Sequence, residues 1–226
     1  MADQEITLDF QRAERIGFEE AIFSQGKTIE QLNEILDRAK AKGASLLLTR
    51  LSQLQLEGLQ DEHRAAIDYE PVSRTAFFGP LRPAKASRIA IVAAGTSDAH
   101  VFREIARTAR YYGHESTQFI DVGVAGIWRL LERIETIKQH AVVIVVAGMD
   151  AALPTVVGGL VGSVVIGVPT SNGYGVATGG GPALNAILAS CAPGVMVMNI
   201  DNGYGAACAA IRVLNAVDRG GGGRER

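Results

Sequence analysis

Residues 141–175 read AVVIVVAGMDAALPTVVGGLVGSVVIGVPTSNGYG, and this stretch decides the predicted fold class. Residues 141–147 and 164–168 are apolar, rich in β-branched side chains and of strand length. The segment that starts at Leu153 fits a helix, with Pro154 well placed in its first turn. Two buried strands joined by a helix are the repeating unit of a parallel sheet.

The same alternation extends outward on both sides of this stretch. Further strands are predicted over residues 89–94, 118–122 and 195–200, and further helices over 101–112, 127–138, 182–190 and 205–217. Five buried strands that alternate with helices predict an α/β domain over residues 86–217. We expect a three-layer α/β/α, flavodoxin-like architecture around a parallel five-stranded sheet.

The N-terminal part follows a different pattern, which is helical. Thr28 and Gln31 fit a capping box, and an apolar stripe at helical spacing follows them. A second helix is predicted from Ser45 to Gly58, and residues 68–87, rich in proline, are interpreted as a linker. We therefore expect a small helical N-terminal region with a linker over residues 1–80, and a disordered Gly-rich tail over 218–226.

Charge is distributed unevenly along the 226 residues. Residues 1–88 carry 26 charged side chains, whereas residues 141–217 carry only Asp150, Asp201 and Arg212. A segment so poor in charge is either a sheet buried between helices or a surface covered by other subunits. The second alternative predicts a homo-oligomer. The net charge of −2 argues against nucleic-acid partners and a polybasic membrane surface.

The remaining composition indicates a cytoplasmic protein. The two cysteines are too few for a disulfide framework, no leader opens the chain, and no apolar stretch is long enough to span a membrane. The four histidines share no metal-ligand spacing, so no metal site is expected.

Ligands of parallel α/β sheets bind beyond the carboxyl ends of the strands. After the first strand, Gly95, Thr96, Ser97 and Asp98 offer backbone N–H groups and two hydroxyls at a helix start, which suits a phosphate. An ordinary N-cap by Ser97 or Asp98 is the alternative. Asp150 follows another strand and is either a helix cap or a carboxylate in a dry site.

The two cysteines differ in their surroundings. Cys208 lies among alanines in the middle of a predicted helix and is interpreted as a small buried apolar residue. Cys191 lies where Pro193 and Gly194 end a helix, at the boundary of an element.

Several motifs follow one another in order along the chain, and their combination is far more specific than any one of them. They are Ala94-Gly95-Thr96-Ser97-Asp98, Asp121-Val122-Gly123-Val124-Ala125-Gly126, Ala147-Gly148-Met149-Asp150-Ala151-Ala152-Leu153-Pro154, Val168-Pro169-Thr170-Ser171 with Gly173-Tyr174-Gly175, Ser190-Cys191-Ala192-Pro193-Gly194, and Asn199-Ile200-Asp201-Asn202-Gly203-Tyr204-Gly205. Together with the N-terminal runs 12–18 and 26–28, they resemble the LarB family of nickel-pincer nucleotide cofactor biosynthesis, whose C-terminal domain is related to the AIR carboxylases of purine biosynthesis. The resemblance covers residues 8–217.

The resemblance implies a reaction. The pyridinium ring of nicotinic acid adenine dinucleotide is carboxylated and its phosphoanhydride is hydrolysed, which gives pyridinium-3,5-biscarboxylic acid mononucleotide and AMP. Cys191 matches the position of the family's nucleophile, which forms a covalent adduct with the ring, and Asp150 stands as the base where the family is expected to carry Glu. Trp128 stands where a His is expected. The residues assigned to substrate binding are Gly95, Thr96, Ser97, Asp98, Gly123, Val124, Gly148, Met149, Ser171, Tyr174, Asp201 and Asn202.

The implied partners follow from that reaction. No tightly bound cofactor is expected, and CO2 or bicarbonate is the co-substrate. Mg2+ is a candidate metal ion for the hydrolysis step. NAD is expected to bind as an unreactive substrate analogue. AIR carboxylases form octamers, so the resemblance implies an octamer as the expected homo-oligomer. Loop capping is the alternative role for Asp201 and Asn202. Two other functions stay open: an AIR-carboxylase-like enzyme that needs no nucleophilic Cys, and a non-catalytic nucleotide-binding sensor, which the Asp at position 150 favours.

Overall fold

A computed structural model describes residues 5–221 of the chain, which divide into two compact units at Pro83/Ala84. Each unit has its own hydrophobic core. None of the helices within the described range is long and apolar enough to cross a membrane.

The first unit is an α+β fold rather than the helical region that the sequence predicts. Its four-stranded sheet has the order β1-β2-β4-β3, in which β1 is parallel to β2 and the other two pairs are antiparallel. The elements are α1 (Arg12–Ile16), β1 (Ala21–Phe23), α2 (Ile29–Ala41), β2 (Leu46–Thr49), α3 (Gln53–Gly58), α4 (Asp61–Ala65), β3 (Ile67–Glu70) and β4 (Thr75–Phe78).

Helix α2 confirms the predicted capping box. The Thr28 hydroxyl accepts from the Gln31 N–H at 3.2 Å, and the Gln31 side chain accepts from the Thr28 N–H at 3.0 Å. The buried face of α2 packs into the core of this unit through Leu32, Ile35 and Leu36. These contacts bury the apolar stripe that the sequence shows.

Two predictions for this unit are wrong. The predicted helix from Ser45 to Gly58 is helical only from Gln53, because residues 46–48 are three consecutive buried leucines that a central strand buries on both faces. The predicted linker over residues 68–87 is instead largely the antiparallel pair β3 and β4, joined by a turn. Every residue of β4 is buried, so this segment belongs to the core.

The second unit confirms the predicted parallel five-stranded sheet. Its strands are β5 (Lys85–Ala93), β6 (His114–Phe119), β7 (Val142–Ala147), β8 (Val164–Pro169) and β9 (Met196–Val197). All neighbours are parallel, in the order β6-β5-β7-β8-β9, which is the flavodoxin-like order 2-1-3-4-5. The helices are α5 (Ala99–Tyr111), α6 (Ile127–Leu131), α7 (Ile134–Ile137), α8 (Ala152–Leu160), α9 (Gly181–Leu188) and α10 (Gly203–Gly221).

Several element bounds in this unit differ from the prediction, and the main differences concern β6, the helix after it, β9 and the tail. Strand β6 occupies residues 114–119 rather than 118–122, since a strand at the sheet edge needs no continuous apolar run. The predicted helix over 127–138 is two short helices, α6 and α7. Strand β9 has only two residues. The expected tail is wrong for residues 218–221, which extend α10, and residues 222–226 lie outside the described residues.

Candidate active site

A cavity of about 560 Å³ lies at the carboxyl ends of the strands, beside the β5–β7 pair where the strand order reverses. It brings together nine of the predicted site residues: Gly95, Ser97, Asp98, Gly123, Val124, Gly148, Met149, Asp150 and Tyr174. The lining residues that the prediction omits are Ala94, Ala125, Arg129, Ala147, Ala151, Ala152, Leu153, Asn172 and Gly173. The predicted residues outside the lining are Thr96, Ser171, Cys191, Asp201 and Asn202.

Asp98 holds together the loops at the carboxyl ends of the strands. Its carboxylate is 3% exposed and accepts from the Gly95 N–H at 3.2 Å, the Thr170 hydroxyl at 2.7 Å and the Asn172 side-chain amide at 2.9 Å. The Asn172 amide also donates to the Ser97 carbonyl at 2.8 Å. Because a buried carboxylate is stable only when it is hydrogen-bonded, Asp98 ties the loop after β5 to the loop after β8.

Two glycines allow the strand ends to approach closely. A Cβ on Gly148 would lie 2.6 Å from the Thr170 hydroxyl, and a Cβ on Gly123 would lie 2.9 Å from the Ala94 carbonyl. Both contacts are shorter than van der Waals separation. A side chain at either position would therefore push apart the loops that form the cavity.

Asp150 sits on a strained turn after β7. The residues on either side of it, Met149 and Ala151, have φ of 55° and 45°, a conformation that side-chain-bearing residues rarely adopt. The Met149 N–H donates to the Asn172 carbonyl at 3.0 Å, and the Ala151 N–H donates to the Gly148 carbonyl at 2.9 Å. These bonds hold a turn that leaves Asp150 exposed and at the cavity wall.

Arg129 is the functional candidate that sequence reasoning missed. It is the one basic side chain among the described cavity-lining residues, and its Nη1 lies 2.6 Å from Oδ2 of Asp121. Asp121 has φ of 60°, in the loop after β6. The available signal was a cation early in the helix that follows the second strand, since the predicted helix and α6 both begin at residue 127.

Asp201 joins separate segments, whereas Asn202 acts locally. Asp201 Oδ1 accepts from the Ser171 N–H at 2.9 Å, in the loop after β8, and lies 3.3 Å from Nε2 of His100 in α5. Partial burial raises the Asp201 pKa, but the bonds from His100 and Ser171 outweigh this effect and lower it to about 2. Asn202 accepts from the Gly205 N–H at 2.8 Å, at the start of α10. The capping alternative therefore fits Asn202, and the contacts of Asp201 fit a structural role between two loops.

The two cysteines lie outside the cavity lining. Cys208 is half-buried within α10. Cys191 is exposed and follows α9. This helix runs antiparallel to the strands, from the carboxyl ends where the cavity lies back toward the amino ends of the strands. The register supports this placement, because Met196, five residues later, pairs with Ile166 in the middle of β8. Cys191 therefore does not complete the cavity of its own copy.

The cavity lining has two carboxylates and one guanidinium; Asp98 is committed to three hydrogen bonds within the protein, which leaves Asp150, Arg129 and backbone N–H groups to face a ligand. This set suits an anionic substrate such as a nucleotide phosphate. Residues 5–221 contain no group of three or more His, Cys, Asp or Glu side chains placed to hold a metal ion.

The sheet order and the position of the cavity define a flavodoxin-like α/β domain, and comparison with known proteins shows which kind it is. Residues 88–220 match the AIR carboxylase family, and residues 3–80 match the LarB/PurE-like N-terminal domain. The chain is also 35% identical over 214 residues to an uncharacterized protein of Methanocaldococcus jannaschii, across 90% of this chain and 82% of that protein. The chain belongs to the LarB family, with an AIR carboxylase domain.

Proposed function

We propose that this carboxylase-type protein carboxylates the pyridinium ring of nicotinic acid adenine dinucleotide and hydrolyses its phosphoanhydride, giving pyridinium-3,5-biscarboxylic acid mononucleotide and AMP. The observation that carries the proposal is that Arg129 and Asp150 line one cavity of about 560 Å³ at the switch point of the sheet, in a chain of the LarB family. Such a volume is in the range of small-molecule sites.

The anionic part of the substrate binds at Arg129. In the structure the guanidinium is paired with Asp121 and its side chain is 31% exposed. A phosphate takes over one side of the guanidinium fork, while Asp121 keeps the other side oriented. The backbone N–H of Ser97, in the short 3-10 turn that leads into α5, supplies a further donor.

The carboxylation needs a nucleophile, because a pyridinium carbon does not attack CO2. The Cys191 thiolate forms a C–S bond to the ring, and the resulting dihydropyridine has an enamine carbon that attacks CO2 to form the new C–C bond. Asp150 accepts the proton from that carbon, and the C–S bond breaks to return the thiolate and the aromatic ring. Water then cleaves the phosphoanhydride and releases AMP.

A second copy of the chain supplies Cys191 to the cavity in this scheme. Cys191 is exposed and outside the cavity of its own copy, which makes it available to a neighbour. Large apolar side chains stand exposed beside the cavity: Trp128 is 60% exposed and Tyr174 78%. Exposed aromatic residues of this kind are typical of interfaces, so a homo-oligomer is part of the proposal.

A Mg2+ ion bound with the substrate phosphates would be held by a single carboxylate and would neutralise charge at the phosphoanhydride during hydrolysis. Asp98 is committed to three hydrogen bonds within the protein, so Asp150 is the carboxylate among the described lining residues that is available to it. Mg2+ commonly binds through one carboxylate and substrate phosphates.

One observation favours a second candidate function. Since Cys191 lies outside the cavity lining, the cavity of a single copy fits an AIR-carboxylase-like reaction on an aminoimidazole ribonucleotide, in which no thiol takes part. Asp150 and Arg129 would then act on a different ring.

Labelled bicarbonate distinguishes these functions. The purified protein is incubated with the label and either nicotinic acid adenine dinucleotide or aminoimidazole ribonucleotide, and acid-stable label and AMP are measured. We expect label and AMP together with the dinucleotide only. Label in the imidazole product would favour the second candidate, and binding of the dinucleotide without either product would favour a sensor.

A further inference from the structure

Helix α8 anchors the turn that carries Cys191 on both sides of the cysteine. Before it, the Ser190 hydroxyl accepts a hydrogen bond from the Thr155 hydroxyl of α8 at 2.8 Å. After it, Ala192 packs against Gly158 of the same helix, where an added Cβ would lie only 3.0 Å from the Ala192 Cβ. Cys191 itself is exposed, so these anchors hold the backbone of the turn and leave the cysteine accessible.

A single hydroxyl oxygen joins α8 to this turn and also closes the turn. The Ser190 oxygen that accepts from Thr155 accepts in addition from the Ala192 N–H at 3.2 Å. A Ser side chain that accepts from the N–H two residues later forms a local turn around the residue between them. Cys191 is that residue, and the ring of Pro193 restricts the backbone that follows. The position of Cys191 therefore depends on this one oxygen.

The bond between Thr155 and Ser190 contributes little to folding, since both residues are half-buried and water competes for their hydroxyls. Its larger effect is on geometry. A nucleophile reacts when its attacking atom is held about 3–3.5 Å from the reacting carbon, and a misplacement of about 1 Å can lower a rate by about 100-fold. A nucleophile on a loop needs such support more than one on a helix, because loops hold geometry less well.

Helix α8 also forms part of the cavity at the carboxyl ends of the strands. Its first residues, Ala152 and Leu153, line that cavity, and Thr155 follows within the first turn of the helix. The helix therefore fixes the turn of Cys191 relative to the cavity of the same copy. In an assembly in which each copy supplies its cysteine to another, α8 links the wall of one site to the nucleophile of the next.

We infer that Thr155 and Ser190 are positioning residues for the carboxylation: their hydrogen bond holds the turn of Cys191 so that the thiolate reaches the pyridinium ring in the cavity of a neighbouring copy. This inference rests on the proposed function, in which Cys191 is the nucleophile. Both hydroxyls act through Cys191 rather than on the substrate. They should therefore control how fast the thiolate adds to the bound ring, but not the intrinsic reactivity of the thiol.

Two reactions of the same thiol test this inference on the full chain. Formation of the C–S adduct with saturating NAD, followed by near-ultraviolet absorbance, depends on where the sulfur is held. Alkylation of Cys191 by iodoacetamide without nucleotide, followed by mass spectrometry of its peptide, depends on the thiolate alone. We expect Thr155→Val and Ser190→Ala to slow adduct formation by about tenfold or more and to change the alkylation rate by less than about twofold. Thr155→Ser keeps a hydroxyl and should keep the adduct rate.

Ser163→Ala is the matched control. It removes another half-buried hydroxyl of the same unit, which donates to the His140 carbonyl at 2.7 Å, and adduct formation should persist. Unchanged adduct rates in Thr155→Val and Ser190→Ala would overturn the inference and leave the proposed function intact. An equal fall in the alkylation rate, a slow Thr155→Ser variant, or a loss seen only together with loss of the fold or of the oligomer would also overturn it. If the unaltered chain forms no adduct, the covalent step of the proposed function is wrong, and this inference with it.

Discussion

Replacing Thr170 by Val tests the hydrogen-bond network that holds the candidate active site. The substitution preserves shape but removes the hydroxyl that donates to Asp98 at 2.7 Å, at a position that is 0% exposed. A hydrogen bond to a charged group contributes about 1.5–3 kcal/mol. Asp98 Oδ1 keeps its bond from Asn172, which places the expected loss in the lower part of this range, at about 2 kcal/mol.

The assay is urea unfolding followed by tryptophan fluorescence. The chain has a single tryptophan, Trp128, and it lies in the second unit, so its signal reports the unit that contains the network. A loss of about 2 kcal/mol in the free energy of unfolding corresponds to a fall of roughly 4–8 °C in Tm for a protein of this size.

The matched control is Thr178→Val. The Thr178 hydroxyl donates to the Gly175 carbonyl at 2.9 Å, but this residue is exposed, so the same change should alter stability by less than about 0.5 kcal/mol. Equal effects of the two substitutions would refute the reasoning, because they would mean that the buried Asp98 network contributes nothing beyond the change from Thr to Val.

Three further predictions concern chemistry and pH. Cys191→Ser should abolish the incorporation of labelled carboxylate and the near-ultraviolet absorbance of a dihydropyridine adduct with NAD. Cys208→Ala should keep both signals and lower the free energy of unfolding in urea by about 1 kcal/mol. The reverse pattern would exclude Cys191 as the nucleophile. Asp150→Asn should retain nucleotide binding by calorimetry but not carboxylation, and Asp150→Glu should raise the rate if the shorter side chain limits it; full activity of the Asn variant would leave Asp150 only a capping role. The lowered pKa of Asp201 adds stability above its ordinary value of 3.8, and this stability should be lost as the pH falls toward about 2. In unfolding titrations His100→Asn should reduce that loss, and an unchanged profile would contradict the assigned ion pair.

The parallel sheet could be predicted because its central strands are buried on both faces. Residues 142–147 and 164–169 are therefore continuous apolar runs that a helix between them separates clearly. The same property misled the prediction in the first unit. Residues 46–48 are also a buried strand, and the periodicity of a short apolar run does not distinguish a strand from a helix. The capping box of Ser52 and Gln55, which marks the start of the helix at Gln53, was the signal that the prediction missed.

The cavity could be predicted in large part because ligand sites of parallel sheets follow the strand ends, and nine of the fourteen assigned residues do line it. Arg129 was missed because its one sequence signal, a cation early in a predicted helix, is equally typical of an ordinary surface side chain. Asp201 and Asn202 were assigned to the substrate, but Asn202 caps the start of α10 and Asp201 accepts from the Ser171 N–H of the neighbouring loop. Sequence alone does not distinguish these structural uses from a ligand contact.

The division of the chain at Pro83/Ala84 has a consequence for its synthesis. All four strands of the first sheet lie between residues 21 and 78, so this unit has its complete set of partners long before the second unit exists. At about 5–20 residues per second, a ribosome needs roughly 7–30 s to add the 143 residues from 84 to 226. Small domains fold within about a second or faster. The nascent chain can therefore carry a finished N-terminal unit while the strands of the second sheet, which pair across long sequence separations, are still emerging.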